Sequence, residues 1–159
     1  MTDFVLALDP GGTTGYALAA YSYDHPMYFV DGAQIPNGVQ GLVDFLVKEF
    51  PLTNIYDSVR GLAPDFTIVS ESFILDGRTK QPDLTPVRIE GALTALLGEG
   101  TVTYQRNTFK SLVGDEGLKR LGFWLPGQRH QNDARLHALA WAKLNHLPTA
   151  QAYWPEAED

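Results

Sequence analysis

The chain has 159 residues and no cysteine, with 19 acidic against 12 basic side chains and a net charge of −7. One domain is the prior at that length, with enough residues to bury a real core. A disulfide framework and a thiolate metal site are excluded, and the acidic balance argues against indiscriminate nucleic-acid binding.

Any metal must therefore be held by carboxylate and imidazole, which favours magnesium or manganese over structural zinc. The charge is unevenly spread. Residues 1–77 hold ten acids and two bases, Lys48 and Arg60. Residues 78–135 hold nine bases against six acids. A modest basic face beside an acidic pocket fits a metal-dependent enzyme on a phosphate backbone; a solvated mixed surface fits the same composition. The start, MTDF, has no basic region and no apolar core, so no signal peptide is expected. No stretch approaches the roughly 18–20 apolar residues of a membrane span. The expected location is intracellular and cytoplasmic.

The opening run Phe4–Leu8 ends in Asp9, and Pro10-Gly11-Gly12 and Thr13-Thr14 follow. This reads as strand, glycine turn and returning strand, over 3–9 and 15–23. Glycines there let a metal or phosphate approach closely, although an ordinary hairpin reads the same way. A third strand is expected over Met27–Ile35, after a turn at Asp24-His25-Pro26. Asn37 is placed to cap a helix through Val39, Leu42, Val43, Leu46 and Phe50, ended by Pro51. Residues 52–65 are mixed. The apolar run 66–70 reads as a buried strand that delivers Glu71. A polar loop over 74–84 leads to a helix from Thr85 or Pro86 to Leu97, stopped at Gly98. A fifth strand is expected at 101–105. Short helices follow at 107–113 and 115–121, then a loop, FWLPGQRHQ. The last helix is expected from Asn132 to about His146, followed by a frayed acidic tail over 148–159. The expected folded domain is thus 1–147.

Three antiparallel strands followed by helix-linked strands make a mixed α/β plan. The order is that of a ribonuclease H-like domain: a five-stranded mixed sheet, three strands antiparallel and then parallel ones, flanked by helices. It makes the first and fourth strands neighbours, and Asp9 and Glu71 end those two strands. Asp133 and His137 stand four apart and share one helical face. With the helix starting at Asn132, Asp133 falls in its first turn, where the dipole favours a negative charge. The four residues can converge on one or two divalent cations, and the chemistry is phosphodiester hydrolysis. His137 fits a ligand or a proton shuttle. Singly, each has a plainer reading: Glu71 as a surface charge, Asp133 as a helix-terminal charge, His137 as a core or surface histidine.

The sequence resembles the RuvC-like Holliday-junction resolvases, and particularly their bacteriophage-encoded relatives. The resemblance is carried by LALDPGGTTGYAL (6–18), IVSESF (68–73), VRIEGALTALL (87–97), VTYQRNTFKSLVG (102–114) and HQNDARLHALAWA (130–142). It implies a magnesium- or manganese-dependent endonuclease, with two ions expected, that cuts branched DNA such as four-way junctions. It implies Asp9 and Glu71 as the strand ligands, His137 at the last helix's ligand position and Asp133 as its partner. Some family members space that pair by three residues rather than four. His130 is expected to approach the site from the loop, and Lys110 to lie near the scissile phosphate. Phe73 is the candidate for stacking on unpaired bases. Arg78, Lys80 and Arg106 complete the expected DNA-binding set. Symmetric cutting of two strands implies a homodimer. Two other readings stay open: a nuclease of the same fold acting on flaps, RNA–DNA hybrids or other DNA, and an actin-like or sugar-kinase phosphotransferase. LDPGGTTG also resembles the phosphate loop of the latter.

Overall fold

The structure, a computed structural model, describes residues 2–22, 25–49, 66–73, 77–78 and 80–145. The mixed stretch 52–65, the acidic tail and the expected boundary at 147 lie outside the described residues.

Five strands form one sheet: β1 (Asp3–Asp9), β2 (Thr14–Tyr21), β3 (Tyr28–Ile35), β4 (Phe66–Glu71) and β5 (Val102–Gln105). Their order is β3-β2-β1-β4-β5. β1 pairs antiparallel with β2 and parallel with β4, so the first and fourth strands are neighbours as expected. The helices are α1 (Gly38–Asp44), continued by a π-helical turn (Phe45–Glu49), α2 (Thr85–Leu97), α3 (Gly114–Arg120) and α4 (Arg129–Leu144). A 3₁₀ helix (Asn107–Leu112) links β5 to α3.

β1 is buried along its last five residues because both faces of the sheet are covered. Alternation divides its side chains between two cores. Leu6 and Leu8 join Ile68 beneath Leu42, Leu46, Ile89 and Leu93 of α1, the π-helical turn and α2. Val5 and Ala7 join Val69 beneath Leu136 and Leu139 of α4 and Leu118 of α3. Each fully buried leucine or isoleucine contributes roughly 1.5–3 kcal/mol. The same parity puts Asp9 with Val5 and Ala7, and Glu71 with Val69. Both acids therefore end on the face that α4 covers.

Two expectations are corrected. Asn37 does occupy the residue before α1, but in a left-handed conformation (φ 72°) with no side-chain cap. The last helix begins three residues before Asn132, at Arg129. Asn132 resembles a cap because it hydrogen-bonds backbone, but that backbone is the preceding loop. Its Oδ1 accepts from the Leu125 N–H at 2.9 Å and its Nδ2 donates to the Leu125 carbonyl at 2.8 Å. Asp133 is thus one turn inside α4 and not in its first turn, beyond the reach of the exposed N–H groups that favour a negative charge there.

α4 lies close to the sheet. Ala134, Ala138 and Ala142 form a small-residue stripe along it, all fully buried. At its start, Gly15 of β2 leaves room for the helix backbone: a Cβ there would fall on the His130 carbonyl group. We expect Gly15→Ala to destabilise the protein by about 1–3 kcal/mol, the usual range for forced overpacking. Gly12→Ala, where a Cβ meets open space, serves as the control and should change stability little. Urea denaturation of the two variants checks this.

Candidate active site

One row of residues crosses the ends of the strands. Gly15 pairs with Gln34 on one side and with Asp9 on the other. Glu71 stands one step beyond the Leu8–Ser70 pair and is itself paired with Gln105. Every member of this row meets α4 or the 3₁₀ helix. Gln34 Oε1 accepts the His130 backbone N–H at 3.0 Å. Asp9 Oδ2 lies 2.9 Å from His130 Nδ1. Glu71 Oε2 lies 2.8 Å from His137 Nε2 and 3.0 Å from Lys110 Nζ. Lys110 Nζ also reaches Asp133 Oδ2 at 3.0 Å. Gln105 meets His137 Nδ1 at 2.8 Å.

His130 therefore reaches the site from the first turn of α4, not from the loop. It is three residues before Asp133, so the two share a helical face as Asp133 and His137 do. His137 is fully buried and has both ring nitrogens engaged. A carboxylate only accepts, so Nε2–H donates to Glu71. Turning the Gln105 amide lets its NH₂ group donate to His137 Nδ1 and also to the His137 carbonyl. In that arrangement Nε2–H faces Glu71 while Nδ1 accepts from Gln105. In it His137 steers the Glu71 carboxylate, while His130, with its side chain 43% exposed, borders the open side of the cluster.

The acids outnumber the cation here, with one ammonium set against Asp9, Glu71 and Asp133. Burial pushes the Asp9 carboxyl above the usual range; the His130 bond opposes this, and the nearby Glu71 and Asp133 add to it. Burial also acts upward on Glu71, but hydrogen bonds from His137 and Lys110 outweigh it and hold that carboxyl below its usual value. Burial acts downward on Lys110, and bonds to Asp133 and Glu71 outweigh it, so the ammonium is held above its usual range. Among the described residues, no three His, Asp or Glu side chains enclose a cation as they stand. The donor set nevertheless suits a hard cation. One ammonium bridges two carboxylates, from β4 and α4, and the Asp9 carboxyl at the end of β1 is close enough to feel both.

The remaining expected residues are more dispersed. Phe73 is partly buried just beyond β4, its N–H donating to Glu90 Oε1 at 2.9 Å. Arg78 and Lys80 are exposed between β4 and α2, and Arg106 is exposed where the 3₁₀ helix begins. A cleft of 760 Å³ opens beside Lys110 and Asp133, lined also by Asn107, Ser111, Trp124 and Arg129. Gln34, Gln105 and Gly15 were not singled out by sequence. Their signal is a register position, which exists only once the strands are paired.

The two strand-end acids should respond oppositely to amide substitution. Asp9 has a raised folded pKa, so the stability linked to it is present below the unfolded value and lost as pH rises through the folded one. Asp9→Asn should therefore gain on the native protein as pH rises from about 4 to 7. Glu71 has a lowered folded pKa, so its contribution is present at neutral pH and lost as pH falls through that value. Glu71→Gln should accordingly be less stable than the native protein at pH 7. Thermal melts in chelator across this range check both signs.

No protein-family model matches the chain, and no curated protein matches it in sequence. Among solved structures, Thermus thermophilus RuvC matches with a TM-score of 0.64 at 16% identity, over 94% of this chain and 98% of that one. T. thermophilus RuvC in complex with Holliday junction substrate matches with a TM-score of 0.59 at 18% identity, again over 94% and 98%. Likeness at such identities speaks for architecture: the chain has the RuvC-like, ribonuclease H-like fold that its element order predicts.

Proposed function

We propose that the protein is a divalent-metal-dependent endonuclease that cuts branched DNA, with four-way junctions as its principal substrate. The observation that carries this is the sharing of Lys110 by Glu71 and Asp133, from β4 and α4, with Asp9 of β1 held by His130 and close enough to feel both charges. The RuvC fold supports it, since one matching structure is of RuvC with a Holliday junction substrate.

In this reading Asp9, Glu71 and Asp133 hold magnesium or manganese. His130 is the imidazole at the open side, in place of His137. Bound there, a divalent cation would supply water activation and offset charge on the phosphate. The protein's own groups do the rest. Asp9 keeps the His130 ring oriented, with Nδ1–H toward the carboxylate, which leaves Nε2 as a lone pair able to take a proton. The Gln105–His137 pair fixes the direction of Glu71, a support of the kind that tunes ligands from behind. Arg78, Lys80 and Arg106 grip backbone phosphates, and Phe73 contacts bases near the branch. Symmetric cutting calls for two copies related by a two-fold axis. No described helix is long and apolar enough to cross a membrane, and the work on DNA fits the cytoplasm.

The test is cleavage of a synthetic four-way junction, a flap, an RNA–DNA hybrid and a linear duplex with magnesium or manganese. Junction cleavage that falls by about a thousandfold or more in Asp9→Asn, as expected on removing a group required for the chemical step, supports the proposal. Cleavage confined to flap or hybrid moves the substrate but keeps the chemistry. ATP hydrolysis with no cleavage overturns it. His137→Ala should cut activity by about 10–100-fold, the usual cost of losing a supporting partner, and Gln105→Leu should act in the same direction. Single-turnover rates of the two variants check this.

A further inference from the structure

We infer that Lys110 is a built-in counter-ion of the site: in the metal-free protein its ammonium holds the position between Glu71 and Asp133 that a divalent cation takes, and metal must displace it. The inference rests on the reading that these acids hold metal.

Three observations carry it. Lys110 Nζ is 3.0 Å from Glu71 Oε2 and 3.0 Å from Asp133 Oδ2, so one ammonium bridges carboxylates from β4 and α4. All three side chains are largely buried, the lysine 17% exposed and the acids 20% and 19%. At that depth the pairing is weakly screened by salt and differs from a surface ion pair. The acids also need such a partner. With Asp9 nearby, an unneutralised pair would leave three carboxylates repelling one another in a partly desolvated place.

The bridging ammonium and a metal ion cannot share this space. A cation bound to both oxygens has to break both ion pairs, and that cost lowers the protein's apparent metal affinity. The displaced side chain has somewhere to go. The 760 Å³ cleft is lined by Lys110 itself together with Asn107, Thr108 and Ser111 of the same 3₁₀ helix. An ammonium moved into it stays beside the acids while its charge becomes available to a phosphate. Lys110 thereby ties DNA contact to metal loading: the same charge serves the empty site first and the substrate second.

The experiment is a calorimetric titration of manganese into the full chain without DNA, comparing the native protein with Lys110→Met, Lys110→Gln and Asp9→Asn. Both lysine variants should bind manganese roughly tenfold or more tightly than the native protein. Their metal-free melting temperatures should be lower, and the rise on adding metal larger. Unchanged or weaker binding in both lysine variants, with Asp9→Asn impaired, overturns the counter-ion role and leaves the metal site standing. Binding that is equal in the native protein and Asp9→Asn overturns the metal site, and the inference with it. A readout on the native protein avoids any folding defect. The Lys110 ammonium ¹H–¹⁵N signal should be protected from exchange without metal and lose that protection on titration with magnesium. Protection that persists at magnesium saturation overturns the inference.

Discussion

The first turn of α4 rests on bare backbone at Gly15, and the candidate site depends on that contact. A glycine under the His130 carbonyl lets the helix start directly over the rim of the sheet. Gln34 takes up the His130 backbone N–H, which one neighbour further out on the rim can reach. The ring of His130 then has little choice but to meet Asp9. One turn later Asp133 arrives opposite Lys110, and one turn after that His137 enters the interior between Glu71 and Gln105. The helix therefore serves the site three times, at turns that follow from its pitch and its point of origin.

The second constraint is charge. Three carboxylates are gathered where water is scarce, and the protein compensates each differently. Glu71 has two donors, an imidazole and an ammonium, and is comfortable as an anion. Asp9 is hydrogen-bonded to His130, with Lys110 acting only at a distance, and carries the desolvation cost. Asp133 shares Lys110 with Glu71. Such concentrations of repelling acid are costly to folding and tend to mark places where a cation or a reaction supplies what the fold withholds.

Most of the architecture was legible along the chain. The apolar runs ending in Asp9 and Glu71, the breaks at Gly98 and Gly122, and the 85–97 periodicity are local signals, and each element appears within a few residues of its expected place. The start of α4 was misread because Asn132 has a capping residue's chemistry but spends it on the loop backbone at Leu125. In the sequence His130 reads as part of a loop, and His137, four residues after Asp133, as its partner on one helical face. With the helix begun at Arg129, His130 faces Asp9, and His137 is buried behind Glu71 with no free nitrogen.

The sequence by itself determined the elements, their order and the strand-end acids, because periodicity, glycine turns and buried apolar runs act over a few residues. It also determined that any metal would have to be held by oxygen and imidazole, since the chain has no thiol. The tertiary structure decided which histidine borders the site, which lysine bridges the acids, and why Gln34, Gly15 and Gln105 matter. Those assignments join residues dozens of positions apart, Lys110 to Glu71 and His130 to Asp9. They depend on strand register and on where a helix starts, and a shift of one residue in the first or three in the second exchanges one side chain for another.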